Sequence, residues 1–184
     1  MSNAYKEWEK DKIDEEKRIV AKYPFLRLRD IDGTIDTESK FPMIGLEIPN
    51  GFEMLFFQMC EDIKLILEKH DIMDDFYFIQ VKEKYGMLCC HSTGAPREVH
   101  EVIAKYEQMS QYICSVCGKP AAYETTGWIE PYCEDCWKDK VRHCEVERIE
   151  FKPYFTINTF TEGVHCDEKK ISFKDEWDRY IKGL

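Results

Sequence analysis

Four of the nine cysteines form two Cys-x-x-Cys pairs, with fifteen residues between the pairs. A gap of two residues lets both thiolates of a pair reach one metal ion without backbone strain, and two such pairs supply the four donors of a tetrahedral zinc site. The sequence therefore predicts one Zn²⁺ bound by Cys114, Cys117, Cys133 and Cys136. Because cysteine fills every coordination position and leaves none for water, we expect a structural metal and not a catalytic one.

The compartment favours metal binding over disulfide bonds. The N-terminal stretch lacks an apolar segment, and the chain has no apolar run long enough to span a membrane, so we expect a cytoplasmic protein. Thiols stay reduced in the cytosol, and an odd number of cysteines cannot all pair. The competing hypotheses for the two pairs are four unrelated buried thiols and a redox-active Cys-x-x-Cys, which would be a single pair near a βαβ unit.

The residues around the four cysteines predict the shape of a zinc module. Gly118 follows Cys117 where the chain must turn with a positive φ, and residues 121–126 and 128–132 flank Gly127 as a hairpin. A helix can begin after Cys133. The order of turn, hairpin and helix is that of a treble clef, whereas the same cysteine spacing without the helix would be a zinc ribbon. Three aromatic residues near the cluster can either shield the metal or contact a partner: Trp128, Tyr132 and Trp137.

Apolar periodicity predicts an α+β fold with a small antiparallel sheet and helices on one face. Helices are expected over 5–22, 50–70 and 99–109 and after Ser172, and strands over 25–29, 43–48, 76–82, 87–91 and 146–155. We divide the chain into three parts: an α+β domain, residues 1–112, with a charged N-terminal helix over 1–22; the zinc module, residues 113–142; and a C-terminal strand and helix, residues 143–184, that pack back on the body.

The charge of the chain disfavours binding to nucleic acid. Asp and Glu number 36 and Lys and Arg 26, so the formal net charge is −10, and four thiolates around a dication add further negative charge. Such a surface repels phosphate backbones. The alternative is a nucleic-acid-binding zinc protein that uses Lys138, Lys140 and Arg142 beside the metal.

An acidic motif points to a second alternative. The segment from Asp30 to Ile35, Asp-Ile-Asp-Gly-Thr-Ile, resembles the nucleophile signature of haloacid-dehalogenase-like phosphatases, in which Asp30 would attack phosphorus and Asp32 would act as acid and base beside Mg²⁺. That fold needs a fully apolar parallel strand before the motif, whereas here Arg27 and Arg29 interrupt the apolar residues. We expect a polar turn.

Other Cys and His residues are candidate ligands of a second metal site. The candidates are Cys89, Cys90 and His91, together with His143, Cys144, His165 and Cys166. Adjacent residues on a strand point to opposite faces, which makes a shared metal difficult for each of these groups.

Several short strings resemble a known family. They are Tyr23-Pro24-Phe25-Leu26, Gln58-Met59-Cys60-Glu61, Lys82-Glu83-Lys84-Tyr85-Gly86, Cys117-Gly118-Lys119-Pro120-Ala121 and Gly127-Trp128-Ile129. Over residues 23–137 the chain resembles an uncharacterised family of bacterial and phage-encoded proteins with a C-terminal four-cysteine treble-clef or zinc-ribbon module. It departs from the family after Gly86, where Met87-Leu88-Cys89-Cys90 replaces a Gly-Leu-Arg segment with its aromatic residue. The resemblance implies an origin in mobile elements and supplies no mechanism.

These patterns favour a binding protein over an enzyme. The metal site is closed, the chain contains no convincing set of acid, base and nucleophile, and aromatic residues are abundant. We therefore expect a non-enzymatic zinc-containing protein-interaction module with a protein partner and no membrane association. The charge and the resemblance are typical of a phage or mobile-element regulator or inhibitor of a host protein.

Overall fold

The computed structural model describes residues 3–141, 143–161 and 164–184, with side chains for 6–140, 143–156 and 169–184. The described residues form five α-helices and eight strands. The helices are α1 (Asn3–Lys22), α2 (Glu53–His70), α3 (Arg97–Ser110), α4 (Glu134–Cys136) and α5 (Lys174–Gly183). The strands are β1 (Leu46–Glu47), β2 (Tyr77–Lys84), β3 (Met87–Thr93), β4 (Tyr123–Thr125), β5 (Pro131–Tyr132), β6 (Val146–Arg148), β7 (Tyr154–Thr161) and β8 (Val164–Ser172).

The strands form three small sheets, which confirms the predicted α+β class. The main sheet has the order β1-β2-β3, the second β5-β4-β6, and the third is the hairpin β7-β8. The main sheet is mixed and not purely antiparallel, because β1 pairs with β2 in parallel while β2 and β3 form an antiparallel hairpin. The parallel pair joins strands that are separated in the chain by the whole of α2.

The strand predicted over residues 25–29 is not formed. A 3₁₀ turn spans Pro24–Leu26, and only isolated bridges, Arg27 to Met43 and Arg29 to Ile35, follow it. Phe25 and Leu26 are both completely buried. Side chains of successive strand residues point to opposite faces, so a turn buries two neighbours in one core more readily than a strand does.

The core lies between the main sheet and helices α2 and α3. Helix α2 contributes residues spaced three and four apart, the spacing that places them on one helix face. The buried set includes Leu55, Phe56, Met59, Ile63 and Leu67 from α2, Val99, Ile103, Tyr106 and Met109 from α3, and Phe78, Val81 and Leu88 from the sheet.

Two side chains of α3 close the outer edge of the main sheet. The Ser110 hydroxyl accepts a hydrogen bond from the Leu88 amide at 2.8 Å, and the Glu107 carboxylate accepts one from the Cys90 amide at 2.7 Å. Both amides belong to β3, the edge strand. Unpaired N–H groups on an edge strand are a template for aggregation, so these bonds protect the sheet.

We expect Glu107 to stabilise the fold as a hydrogen-bond acceptor and not as a charged group. Burial raises the pKa of Glu107 above its ordinary 4.5, against a smaller lowering by the Cys90 amide. The folded state therefore binds this proton more tightly than the unfolded state does, and stability falls as pH rises from about 4.5 through the folded pKa. We expect Glu107→Leu to cost about 1–3 kcal/mol by orphaning the Cys90 amide.

The matched variant Glu107→Gln separates the two effects. It keeps an acceptor for Cys90 and cannot ionise, so we expect unchanged or higher stability at neutral pH and a flatter dependence of stability on pH. Urea unfolding at several pH values measures both quantities. Equal losses in the Leu and Gln variants would show that the hydrogen bond contributes little.

Helix α5 ties the C-terminal residues to the body. Arg179 donates to both carboxylate oxygens of Asp62 on α2, at 2.9 and 2.6 Å, and Tyr106 on α3 donates to the same carboxylate at 2.7 Å. Helix α5 is the final helix that the sequence predicts. It starts two residues after Ser172, whose hydroxyl accepts a hydrogen bond from the Lys174 amide at 3.3 Å.

Candidate metal centre

The four paired cysteines converge in space. Their sulfur atoms all lie within 4.8 Å of one another, and Cys117 Sγ is 3.6 Å from Cys133 Sγ. Cys114 and Cys133 are buried, Cys136 is half-buried and Cys117 is exposed. Four thiols at this distance can hold a metal ion, which agrees with the sequence prediction for these residues.

The first pair lies in a tight turn after α3. The Cys114 amide donates to the Lys119 carbonyl at 2.8 Å, and the Gly118 amide donates to the Cys114 carbonyl at 3.0 Å. Gly118 has φ 75°, a backbone conformation that glycine adopts without strain and that residues with a side chain adopt only at a cost in free energy. The turn aims both thiols of the pair at the same point.

The second pair lies at the start of a helix. The hairpin β4–β5 turns at Gly127, φ 85°, and delivers the chain to Cys133. Cys133 is the N-cap of α4, and its sulfur accepts a hydrogen bond from the Cys136 amide at 3.5 Å. A π-helical turn, Trp137–Val141, extends α4. The predicted order of turn, hairpin and helix is thus present, with a shorter helix than a typical one.

The thiols sit in unequal surroundings. Burial raises the pKa of Cys114. At Cys117 burial also raises the pKa, but hydrogen bonds from the Lys119 amide and the neighbouring thiols outweigh it and hold the pKa below its usual value. Burial, followed by hydrogen bonds with Cys117 and Cys133, raises the pKa of Cys136. A bound cation favours the thiolate form of all four ligands.

The turn around Cys114 is locked onto the body by backbone contacts. The Gly51 amide donates to the Ser115 carbonyl at 2.9 Å, and a methyl carbon added at Gly51 would lie 2.0 Å from the Cys114 carbonyl oxygen. On the other side, the Tyr180 hydroxyl of α5 donates to the Gly118 carbonyl at 2.6 Å. The four-cysteine cluster is therefore held between the turn that precedes α2 and the C-terminal helix.

Sequence reasoning missed both of these anchors. Gly51 sits beside Asn50 at a predicted helix start, where its role resembles that of an ordinary turn residue. Tyr180 belongs to the apolar stripe of α5, which predicts burial but not the carbonyl that its hydroxyl contacts.

The structure places the three aromatic residues near the cluster in different surroundings. Trp128 is 76% exposed, Tyr132 is 7% exposed and Trp137 is half-buried. Tyr132 packs with Cys114 and Cys133, and Trp137 packs on Tyr123 with ring centres 4.8 Å apart. Tyr132 therefore takes the shielding role, one of the two expected for these rings, whereas Trp128 is accessible to a partner.

No second group of three or more metal-binding side chains occurs among the side chains that the structure describes. Cys89 Sγ and His91 Nε2 are 3.7 Å apart and lack a third donor there. Burial raises the pKa of Cys90, and His143 and Cys144 are exposed. His165 and Cys166 lie outside the described side chains.

Asp30 and Asp32 lie in an exposed turn. Asp32 Oδ1 accepts hydrogen bonds from the Thr34 amide at 2.9 Å and the Thr34 hydroxyl at 2.7 Å, which lower the pKa of Asp32. The flanking residues Arg29 and Ile35 form an antiparallel bridge. The motif therefore closes a polar turn and does not follow a parallel strand, so the geometry gives the phosphatase alternative no support.

Among the described side chains, two lysines close to Cys136 have acidic neighbours. Lys138 is paired with Glu134 at 2.6 Å, and Lys119 lies 3.8 Å from Asp135. Lys140 is exposed, and Arg142 lies outside the described residues. Acidic neighbours thus balance part of this surface, which lowers its attraction for phosphate.

Within the described part of the chain, no helix combines the length and the apolar character that crossing a membrane requires. Comparison with protein families, curated proteins and solved structures finds no family model, no curated protein and no solved structure that matches this chain.

Proposed function

We propose that this chain is a non-enzymatic protein-interaction module that binds one structural Zn²⁺ through Cys114, Cys117, Cys133 and Cys136. Four thiolates with two-residue gaps are the donor set of closed structural zinc sites, and no coordination position remains for a substrate. The zinc module, of treble-clef or ribbon type, spans residues 113–142 between the α+β domain and the C-terminal residues. Its metal acts through geometry alone.

The exposure of Trp128 carries the proposal. This indole is 76% exposed at the tip of the β4–β5 hairpin, and its Nε1 donates to Glu130 at 3.2 Å. The base of the hairpin is fixed where the Pro131 carbonyl accepts a hydrogen bond from the Ser115 amide at 2.9 Å, next to the metal ligands. An exposed tryptophan on a rigid support is the kind of residue that dominates interface hot spots.

The net charge of the chain indicates which kind of surface its partner presents. An acidic protein attracts basic surfaces and repels nucleic acid. The charge and the family resemblance together fit a regulator or inhibitor of a host protein encoded by a phage or another mobile element.

Trp128→Ala should weaken partner binding without unfolding the protein. Tagged wild-type protein, Trp128→Ala and the control Leu65→Ala are each incubated with extract of the cells that carry the gene. Leu65 lies on α2 and is 65% exposed. We expect one protein to be recovered with wild type and with Leu65→Ala. Loss of a hot-spot tryptophan costs about 2 kcal/mol or more, so the affinity of Trp128→Ala should fall about thirtyfold.

Two results would contradict the proposal. One is recovery of the partner that is equal for Trp128→Ala and wild type. The other is retention of nucleic acid that salt releases, which would favour the basic residues after Cys136.

A further inference from the structure

An aromatic cleft lies where two hairpin turns meet. The β2–β3 turn contributes Tyr85 and Gly86, and the β4–β5 turn contributes the segment 127–129. A carbon added at Gly86 would lie 3.0 Å from the Ile129 carbonyl oxygen, so the two turns are in close contact. The cleft beside them has a volume of about 290 Å³ and is lined by Glu83, Lys84, Tyr85, Gly127, Trp128 and Ile129.

The backbone of Tyr85 is strained. Its φ is 53° and that of Gly86 is 75°, the conformation of a two-residue turn in which asparagine usually takes the first position. A bulky residue with positive φ costs free energy, and such strain collects at functional sites. The Tyr85 ring is also 73% exposed, so burial does not compensate for the strain.

The two large rings of the cleft leave space for a ligand. Within the described side chains, Tyr85 and Trp128 make no ring contact with each other, although both line the cleft and both are more than 70% exposed. Ile129 is 39% exposed and forms an aliphatic wall beside them. The surface is held in shape by the contact between the turns and, at the far end of the β4–β5 hairpin, by the metal ligands.

Carboxylates stand beside the rings. Glu83 accepts a hydrogen bond from the Gly86 amide at 2.6 Å, and Glu130 accepts from Trp128 Nε1 and from the Tyr132 hydroxyl. These bonds orient both carboxylates and leave their negative charge in place. The Lys84 ammonium lies 5.4 Å from the centre of the Tyr85 ring, so this ring already attracts a cation.

We propose that the aromatic cleft binds a basic, extended peptide segment of a protein partner, with an arginine or lysine side chain lying between the rings of Tyr85 and Trp128. This inference rests on the proposed function and names the class of partner. Ring faces attract cations, and the aliphatic stem of such a side chain can lie along Ile129.

Charge complementarity selects this occupant over others. The chain carries a net charge of −10, so a second copy and an acidic peptide are repelled, whereas a basic segment is attracted. A neutral apolar peptide would desolvate the carboxylates without pairing them. The bound side chain displaces Lys84, which is exposed and makes no ion pair in the described structure, so this costs little.

The test uses a labelled synthetic peptide in which arginine alternates with glycine and serine. Binding is measured by fluorescence anisotropy to wild type, Trp128→Ala, Tyr85→Asn and the control Leu65→Ala. None of these substitutions changes the net charge, so non-specific attraction stays constant. We expect about tenfold weaker binding for the first two variants and no change for Leu65→Ala.

One stability measurement and one further variant sharpen the result. Asparagine adopts a positive φ at a lower cost in free energy than tyrosine does, so the unfolding midpoint of Tyr85→Asn should stay level or rise by about 2–4 °C. A midpoint in this range rules out unfolding as the cause of lost binding. Lys84→Gln removes the competing cation and should bind the arginine peptide more tightly than Lys10→Gln, a charge-matched control on α1.

The outcomes separate this inference from the proposed function. Equal arginine-peptide binding by wild type, Trp128→Ala and Tyr85→Asn, or none by wild type, overturns the cleft as a basic-peptide site. If a glutamate-containing or a neutral proline-rich peptide binds instead and depends on Trp128, the class of partner is wrong while the proposed interaction surface stands. If wild type and Trp128→Ala recover the partner equally from the extract, the proposed function itself is contradicted.

Discussion

Replacing Cys133 with serine is expected to abolish zinc binding and to unfold residues 114–140, while the core around α2 and α3 stays folded. The reason is the small apolar cluster of this region, in which the buried Tyr132 packs with Cys114 and Cys133. Such a segment cannot fold on burial alone, and a structural zinc site supplies about 10–16 kcal/mol of apparent binding free energy at neutral pH. The metal substitutes for a core.

Two measurements check this expectation. Elemental analysis of protein purified without added metal should show about one zinc per chain, and hydrogen exchange should show loss of protection in residues 114–140 of Cys133→Ser. Cys144→Ser is the matched control, because Cys144 is an exposed thiol outside the cluster. Clearly substoichiometric zinc in the wild type, or unchanged protection in the variant, would contradict the zinc assignment.

Gly51→Ala should have the second largest effect. The added methyl group would lie 2.0 Å from the Cys114 carbonyl oxygen and 2.7 Å from the Ser115 carbonyl group. Both contacts are with backbone, which cannot rotate away as a flexible side chain can. Either the turn that carries Cys114 or the turn before α2 must move, and we expect a loss of stability of about 3 kcal/mol.

Gly45→Ala provides the control for this substitution. A carbon added at Gly45 meets nothing within 4 Å, so its effect should stay within about 0.5 kcal/mol. Urea unfolding compares the two variants, and zinc analysis shows whether the displaced module still binds its metal. We expect zinc to stay bound in Gly51→Ala, because the four ligands come from the module itself. Equal stability of the two alanine variants would show that the close approach at Gly51 is easily relieved.

Short-range features of the fold could be predicted from the sequence. The spacing within each cysteine pair and the glycines at 118 and 127 act over a few residues, where covalent geometry decides which conformations are allowed. The apolar stripes of α2, α3 and α5 likewise need only one helix period. These signals identified the four cysteines that converge in space, the β4–β5 hairpin and the α+β class.

The same reasoning failed where local preference and tertiary packing compete. The pattern around Phe25 and Leu26 predicts a strand, yet both residues are buried in a 3₁₀ turn. Gly51 has the character of an ordinary turn residue, yet it contacts the backbone of Cys114 and Ser115. In each case the local pattern was recognised and the distant surface that the residue contacts was not.

The sequence by itself therefore determined which cysteines gather into one cluster, because the geometry of each pair is set by near neighbours in the chain. Tertiary structure alone decided which elements the cysteine cluster packs on and which surface lies beside it. Tyr180 reaches the Gly118 carbonyl across 62 residues, and Tyr85 meets the turn of Trp128 only because two separate hairpins pack tip to tip. Such contacts depend on the relative positions of whole elements, which the packing of the entire core sets, and no short-range pattern encodes them.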